Sequence, residues 1–258
     1  NESAIAVLHA ETNNAATGKN GSIIVGGDNS YGGDRDSTDV PSDSNYKNIY
    51  TTQKAFAAIN YDGNIKAWGH ADFGGTGAPT GSGYTKIYST DSAFAALKSD
   101  GSITAWGNAA NGGASPPAGT GFTKIFSNAS AFAAMKADGS ISVWGDSNNG
   151  GSGSPTETGF TKIFSNDTTF VALHSNGYVK VWGGGANHEY GATGEPVTSD
   201  ILTVIPSKYS FTAIKKDGSV CTWGDDSSDT YLGAVDAPAD LKFVTSNFSN
   251  KKSVCELH

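Results

Sequence analysis

A short pattern of apolar and small residues recurs along the chain at a fixed spacing. Each copy has an apolar run that begins Phe-Ala-Ala or a close variant, then Asp-Gly or Asn-Gly, then a segment of alternating apolar residues that ends in Trp-Gly. The copies begin at Phe56, Phe94, Phe132, Phe170 and Phe211, so the period is 38 residues three times and 41 residues once. A fixed period in this range predicts a solenoid or a propeller.

Each repeat predicts three short β-strands. The Asp-Gly pairs, such as Asp100-Gly101, tolerate positive φ at both centres of a type I′ turn and so predict a hairpin between the first two strands. A connection rich in Gly, Pro and Ser leads to a third strand, residues 122–127 in one copy. Three antiparallel strands favour a propeller, because the rival β-solenoid is built from parallel strands and stacked sheets bury both faces of each blade.

The ends of the chain carry further copies. Residues 4–8 and 20–27 form a divergent first copy, and residues 253–257 resemble the start of another. We therefore predict one all-β propeller domain over residues 1–258. Its units lie at about 4–52, 53–90, 91–128, 129–166, 167–207 and 208–246, with a partial unit at 247–258. Seven blades, the last assembled from both termini, are favoured over six.

The residues around Trp-Gly resemble a known repeat family. Residues 25–34 (VGGDNSYGGD) and 67–77 (AWGHADFGGTG) are similar to the Trp-Gly-x-Asn-x-x-Gly core of the regulator-of-chromosome-condensation repeats. The shorter period looks more like the seven-bladed, three-stranded propeller of the β-lactamase inhibitor proteins. The family's Gly-Gln-Leu-Gly continuation is absent, and its Asn matches only at Asn29, so no exchange-factor residues carry over. The resemblance implies non-enzymatic binding through loops on one rim.

One position of the long connection carries the candidate binding residues. It lies just before a Gly-Gly or Gly-Ala pair, and loops of successive blades should meet on one face. Aromatic residues beside Asp and Asn suit a protein hot spot or a sugar, although they also suit a loop base that is merely covered. The insertion at 183–200 departs from the repeat and adds His188 and Glu189. The predicted ligand-binding residues are Tyr31, Phe73, Asn111, Asn149, His188, Glu189, Tyr190 and Tyr231.

Other chemistries find little support in the sequence. The five repeated tryptophans are better interpreted as packing between blades than as a binding ring. The net charge of -8 is spread along the chain, which disfavours nucleic acid, and no apolar run is long enough to insert into a membrane. No catalytic motif is present, so we predict no enzyme and no cofactor. No metal is predicted, because His70 and His188 lack partners at ligand spacing.

Two features bear on covalent modification. Cys221 and Cys255 could form one disulfide or remain two buried thiols. Sequons for N-glycosylation occur at Asn20, Asn128, Asn166 and Asn247, about the number expected by chance in a chain so rich in Asn, Ser and Thr. Asn128 and Asn166 occupy equivalent loops, where we expect them to be reachable by a glycosylating enzyme.

The predicted function is an extracellular or surface-displayed binding module. We expect it to recognise a protein partner through the long-loop face, as one module of a larger chain or assembly. The alternatives are a lectin that uses the loop aromatics and a structural scaffold of an extracellular assembly. The extracellular setting is inferred from low charge, a high content of Gly, Ser and Thr, and the disulfide.

Overall fold

The computed structural model describes residues 3–9, 21–34, 40–184, 191–192 and 194–224. These residues form one two-stranded and five three-stranded sheets, all antiparallel. The sheets are, in chain order, β1 (Ala4–His9) with β2 (Ser22–Gly27); β3 (Tyr46–Thr51), β4 (Ala55–Asn60) and β5 (Ile65–Gly69); β6 (Tyr84–Ser89), β7 (Ala93–Lys98) and β8 (Ile103–Gly107); β9 (Phe122–Ser127), β10 (Ala131–Lys136) and β11 (Ile141–Gly145); β12 (Phe160–Ser165), β13 (Thr169–His174) and β14 (Val179–Gly183); and β15 (Ile201–Pro206), β16 (Ser210–Lys215) and β17 (Val220–Gly224).

Each three-stranded sheet begins one strand earlier than the corresponding sequence unit. We grouped the strand after the long connection with the hairpin before it, whereas β6 pairs with β7 and β8, which follow it. The sheet order corrects that grouping. The short segment 90–92 between β6 and β7 suits only neighbouring antiparallel strands, whereas the long connection has the reach to carry the chain to the next sheet.

Neighbouring sheets pack face to face. The middle strands β4, β7, β10 and β13 each bury five of their six residues, because both faces are covered. In one interface, Phe94 and Trp106 of one sheet pack against Ala57 and Ile59 of the preceding sheet. The small alanines leave room for the aromatic side chains of the neighbour. The all-β propeller of three-stranded blades predicted from the repeat is therefore the observed fold.

The tryptophans join neighbouring sheets, as their interpretation as core residues predicted. All five are at most 5% exposed, and each stacks on the cross-strand Phe with ring centroids 5.0–5.5 Å apart. The indole Nε1–H of Trp106, for example, donates to the Gly74 carbonyl of the preceding repeat at 3.0 Å. Trp144, Trp182 and Trp223 make the same bond over 3.0–3.2 Å. Each of these four indoles thus ties one sheet to the loop before it.

The first strands of consecutive sheets contact one another and lie closest to the axis of the propeller. The turns that follow these strands form a main-chain ladder around that axis. The N–H of Gln53 donates to the Asp91 carbonyl, that of Asp91 to Ala129, and that of Ala129 to Asp167, at 2.9, 2.9 and 3.1 Å. The sheets are therefore held at fixed spacing on the side where the candidate loops emerge.

Several sequence predictions fall outside the described residues. Residues 225–258, including Cys255 and the partial last unit, are among them, so the number of blades and the disulfide stay predictions. Cys221 lies on β17 and is 1% exposed. Within the described ranges, no helix is long and apolar enough to span a membrane.

Candidate functional site

The loop after each third strand starts with a tight turn that fixes the predicted residues. The side chains of Asp28, His70, Asn108 and Asp146 each accept the N–H two residues later, which shapes one turn of 3₁₀ type. A glycine with left-handed φ ends the turn. At Gly74, for instance, φ is +88° and a Cβ would lie 2.7 Å from the ring of Phe94. Only glycine fits so close to the next sheet.

The predicted Tyr31, Phe73, Asn111 and Asn149 all stand directly before that glycine. All four are half-buried. The structure therefore confirms that they share one position at one end of the sheets. His188, Glu189, Tyr190 and Tyr231 lie outside the described residues, so their part in the site stays a prediction.

A buried polar residue holds three of these turns from below. The hydroxyl of Thr52 donates to the Phe73 carbonyl at 2.9 Å, and that of Thr90 donates to the Asn111 carbonyl at 3.1 Å. The Asn128 amide makes the corresponding bond to the Asn149 carbonyl at 2.6 Å. The same side chains accept the N–H that opens the next strand. Sequence reasoning missed these residues, although Thr, Thr and Asn recur at the repeat period.

This role corrects the expectation for two sequons. Asn128 and Asn166 are each 8% exposed, and both side-chain carbonyls accept main-chain N–H groups. A glycosylating enzyme needs a free amide nitrogen, and that of Asn128 is used within the fold. In the folded chain these asparagines are therefore structural residues and are not the reachable sites that we expected.

Tyr31 and Phe73 meet around a lysine that the sequence did not single out. The Nζ of Lys54 lies 5.2 Å from the centre of the Tyr31 ring and 5.0 Å from that of Phe73. An ammonium group at such distances is attracted to the aromatic ring. Because Tyr31 follows β2 and Phe73 follows β5, this aromatic-lysine cluster spans the seam between the first two sheets. The equivalent positions hold Ser92, Ser130, Thr168 and Tyr209.

The two asparagines do not extend this cluster. The Asn111 amide donates to the Ser92 hydroxyl at 2.8 Å, and the Asn149 amide donates to the Asp146 carboxylate at 3.1 Å. Their side chains are thus bonded within their own sheets. The aromatic ring predicted from the sequence is observed only as the Tyr31 and Phe73 pair within the described ranges.

An open depression of about 620 Å³ lies near the axis at the same end of the sheets. Four consecutive turns line it with residues 51–53, 89–91, 127–129 and 165–167. The lining is mostly hydroxyl and amide groups, and its charged members are Asp91 and Asp167. Burial raises the pKa of the neighbouring Tyr50 and Tyr88 phenols, which therefore stay neutral at physiological pH. The depression is consequently polar and acidic.

This end of the propeller combines several kinds of side chain. The described part of the chain contains no group of three or more His, Cys, Asp or Glu side chains that could hold a metal ion. The loop face, which we define as the four 3₁₀-type turns, the aromatic-lysine cluster and the central depression, combines aromatic, cationic and acidic groups on a rigid base. Of these groups, the aromatic side chains belong to the residue types that are enriched at protein interfaces.

Comparison with known proteins supports the fold. No family model matches the sequence, and no curated protein is significantly similar to it. Among solved structures, the entire ectodomain of the Physcomitrella patens receptor kinase CR4 is 17% identical with a TM-score of 0.53, covering 86% of this chain and 60% of that one. The CRINKLY WD40 ectodomain of Arabidopsis thaliana ACR4 is 19% identical with a TM-score of 0.50, covering 79% and 73%.

The chain thus spans 60% of the length of the moss ectodomain. Prp20p of Saccharomyces cerevisiae, the yeast RCC1, is also similar, at 15% identity and a TM-score of 0.49, covering 76% of this chain and 60% of that one. At such identities the likeness shows the fold alone.

Proposed function

We propose that this chain is a non-enzymatic protein-recognition module that contacts its partner through the loop face. The observation that carries the proposal is the aromatic-lysine cluster of Tyr31, Lys54 and Phe73. Aromatic residues such as Tyr31 are among the groups in which binding energy concentrates at protein interfaces, and Lys54 adds a positive charge beside the two rings. Tyr31 stands on a turn shaped by the Asp28 side chain, and Phe73 stands on a turn held by the Thr52 hydroxyl, so little ordering is needed when a partner binds.

The geometry favours a protein partner over a carbohydrate. A sugar that stacks on an aromatic ring needs one open ring face. The ammonium of Lys54 lies over both Tyr31 and Phe73, and the amides of Asn111 and Asn149 are already bonded within the fold. The lectin alternative therefore gains no support from the described residues. The proposal keeps the extracellular or surface setting, for which the composition is the argument.

The test uses affinity capture from the native source followed by binding measurements with the recovered partner. The variants are Phe73→Ala and Lys54→Ala, and the control is Tyr61→Ala. Tyr61 is 49% exposed and lies in the turn after β4, at the opposite end of the sheets. We expect Phe73→Ala and Lys54→Ala each to weaken binding by at least about tenfold, as hot-spot truncations do.

The control variant should bind as the parent does. A partner that binds Phe73→Ala and Lys54→Ala as tightly as the parent would show that recognition uses another surface. Glycan-array binding lost in Phe73→Ala would instead favour the lectin alternative. Each variant is first shown to be folded by far-UV circular dichroism.

A further inference from the structure

Three lysines occupy one repeat position on three consecutive first strands. Lys86 lies on β6, Lys124 on β9 and Lys162 on β12, and all three side chains are exposed. The strands β6 and β9, and likewise β9 and β12, approach within 8 Å between Cα atoms. The next first strands in each direction carry Asn48 and Thr203 at the corresponding register position. The row therefore holds three positive charges with a neutral residue at each end.

The position of the lysines in the sheets explains how they are presented. They stand opposite Leu97, Met135 and Leu173 of the middle strands, which are buried against the following sheet. The aliphatic part of each lysine can lie along this apolar margin while the ammonium group stays in water. In each strand the preceding Thr hydroxyl bonds to a main-chain carbonyl of the middle strand, at 3.0–3.1 Å. This bond helps to fix the register of each lysine-bearing strand within its own sheet.

No acid neutralises the row within the described residues. Lys124 and Lys162 make no hydrogen bond or ion pair there, and Lys86 lies 4.9 Å from the centre of the Tyr88 ring. The acids on the adjoining hairpin turns, Asp100 and Asp138, bond instead to the serines of their own turns at 2.7–2.9 Å. Three like charges on contacting strands thus have no counter-charge among the described residues, although the net charge of the chain is -8.

We propose that Lys86, Lys124 and Lys162 form a binding site for a compact multivalent anion of the condensed-phosphate class. Side chains that carry the same charge and lie together on the first strands strengthen the local electrostatic field and attract an ion of opposite charge. Three ammonium groups suit an anion with a few negative charges close together. A long polyanion fits less well, because the row ends at neutral residues and the rest of the protein is acidic.

The test measures tripolyphosphate binding to the full chain by isothermal titration calorimetry at low ionic strength. The site variant is K86Q/K124Q/K162Q. The matched control is K66Q/K180Q/K216Q, which removes the same charge from exposed lysines outside the first strands. We expect saturable binding by the parent, weakened at least about tenfold in the site variant and less than about twofold in the control, because isolated surface charges contribute little.

Binding should also weaken as sodium chloride is added. Absence of saturable binding by the parent, or equal losses in the two triple variants, would overturn the proposal. If the site variant unfolds by circular dichroism, the single change Lys124→Gln in the middle of the row should still weaken binding by about twofold or more. The change Phe73→Ala should leave tripolyphosphate binding unchanged, which separates this site from the proposed loop-face function.

Discussion

The repeated indole hydrogen bond predicts different costs for the same substitution at two equivalent positions. Trp144 donates its Nε1–H to the Gly112 carbonyl at 3.0 Å and is 4% exposed. Trp68 is fully buried at the equivalent position, but its Nε1–H has no hydrogen-bond partner among the described residues. Changing either residue to Phe removes the same ring area and the same donor. The two variants therefore differ chiefly in what happens to the hydrogen bond.

The magnitudes follow from burial and hydrogen bonding. Loss of the larger indole costs about 2 kcal/mol in both variants, from two to three buried carbon groups at about 0.8 kcal/mol each. Trp144→Phe also leaves the buried Gly112 carbonyl without a donor, which adds about 1–3 kcal/mol. Trp68→Phe instead removes an unpaired buried donor and regains a similar amount. We expect Trp144→Phe to be less stable than Trp68→Phe by about 2–6 kcal/mol.

The assay is equilibrium unfolding in urea, followed by far-UV circular dichroism so that the signal does not depend on the altered tryptophans. Parallel measurement of parent and variants gives the free energies of unfolding, provided that the slopes agree. Equal destabilisation of the two variants, or a larger loss in Trp68→Phe, would refute the view that these indole bonds help to hold neighbouring sheets together.

Three further predictions concern the turns. Gly112→Ala and Gly119→Ala both place alanine at positive φ, but only at Gly112 would the Cβ lie 2.6 Å from a buried ring. In urea unfolding, Gly112→Ala should therefore lower the free energy of unfolding by about 1–3 kcal/mol more than Gly119→Ala does. Asn128→Ala removes the amide that holds two loops and should cost about 1–3 kcal/mol, measured in the same way, whereas an unchanged midpoint would contradict that role. The N–H and hydroxyl of the serine two residues later hold the pKa of Asp100 and Asp138 below 3.8. Their contribution to stability is therefore present above pH 3.8 and is lost as the pH falls through the lowered pKa. In pH-dependent unfolding, D100N/D138N should lose less stability over that interval than the parent does.

The blades could be predicted from the sequence, because the repeat period, the turn residues and the alternation of apolar residues all indicate the same strands. Asp-Gly pairs gave the hairpins, and the spacing of Phe and Trp placed the residues that pack between sheets. The grouping of strands into sheets was less accessible. An antiparallel strand can pair with the hairpin before or after it, and the difference lay only in the length of the connections, such as residues 90–92.

The candidate site was predictable in position but not in composition. Tyr31 and Phe73 share a repeat position, so their common face followed from the period. The role of Lys54 could not be predicted from the period, because its contact with both rings depends on how the second sheet packs against the first. The roles of Thr52 and Asn128 were hidden for a similar reason, since each bonds to a carbonyl 21 residues away.

The ladder of Gln53, Asp91, Ala129 and Asp167 uses only main-chain N–H and carbonyl groups. Its side chains accordingly differ from blade to blade while the bonds stay the same. Substitutions at these positions should therefore leave assembly of the ring intact while altering the charge and shape of the central depression. Evolution or a protein engineer could change what this surface recognises without rebuilding the propeller beneath it.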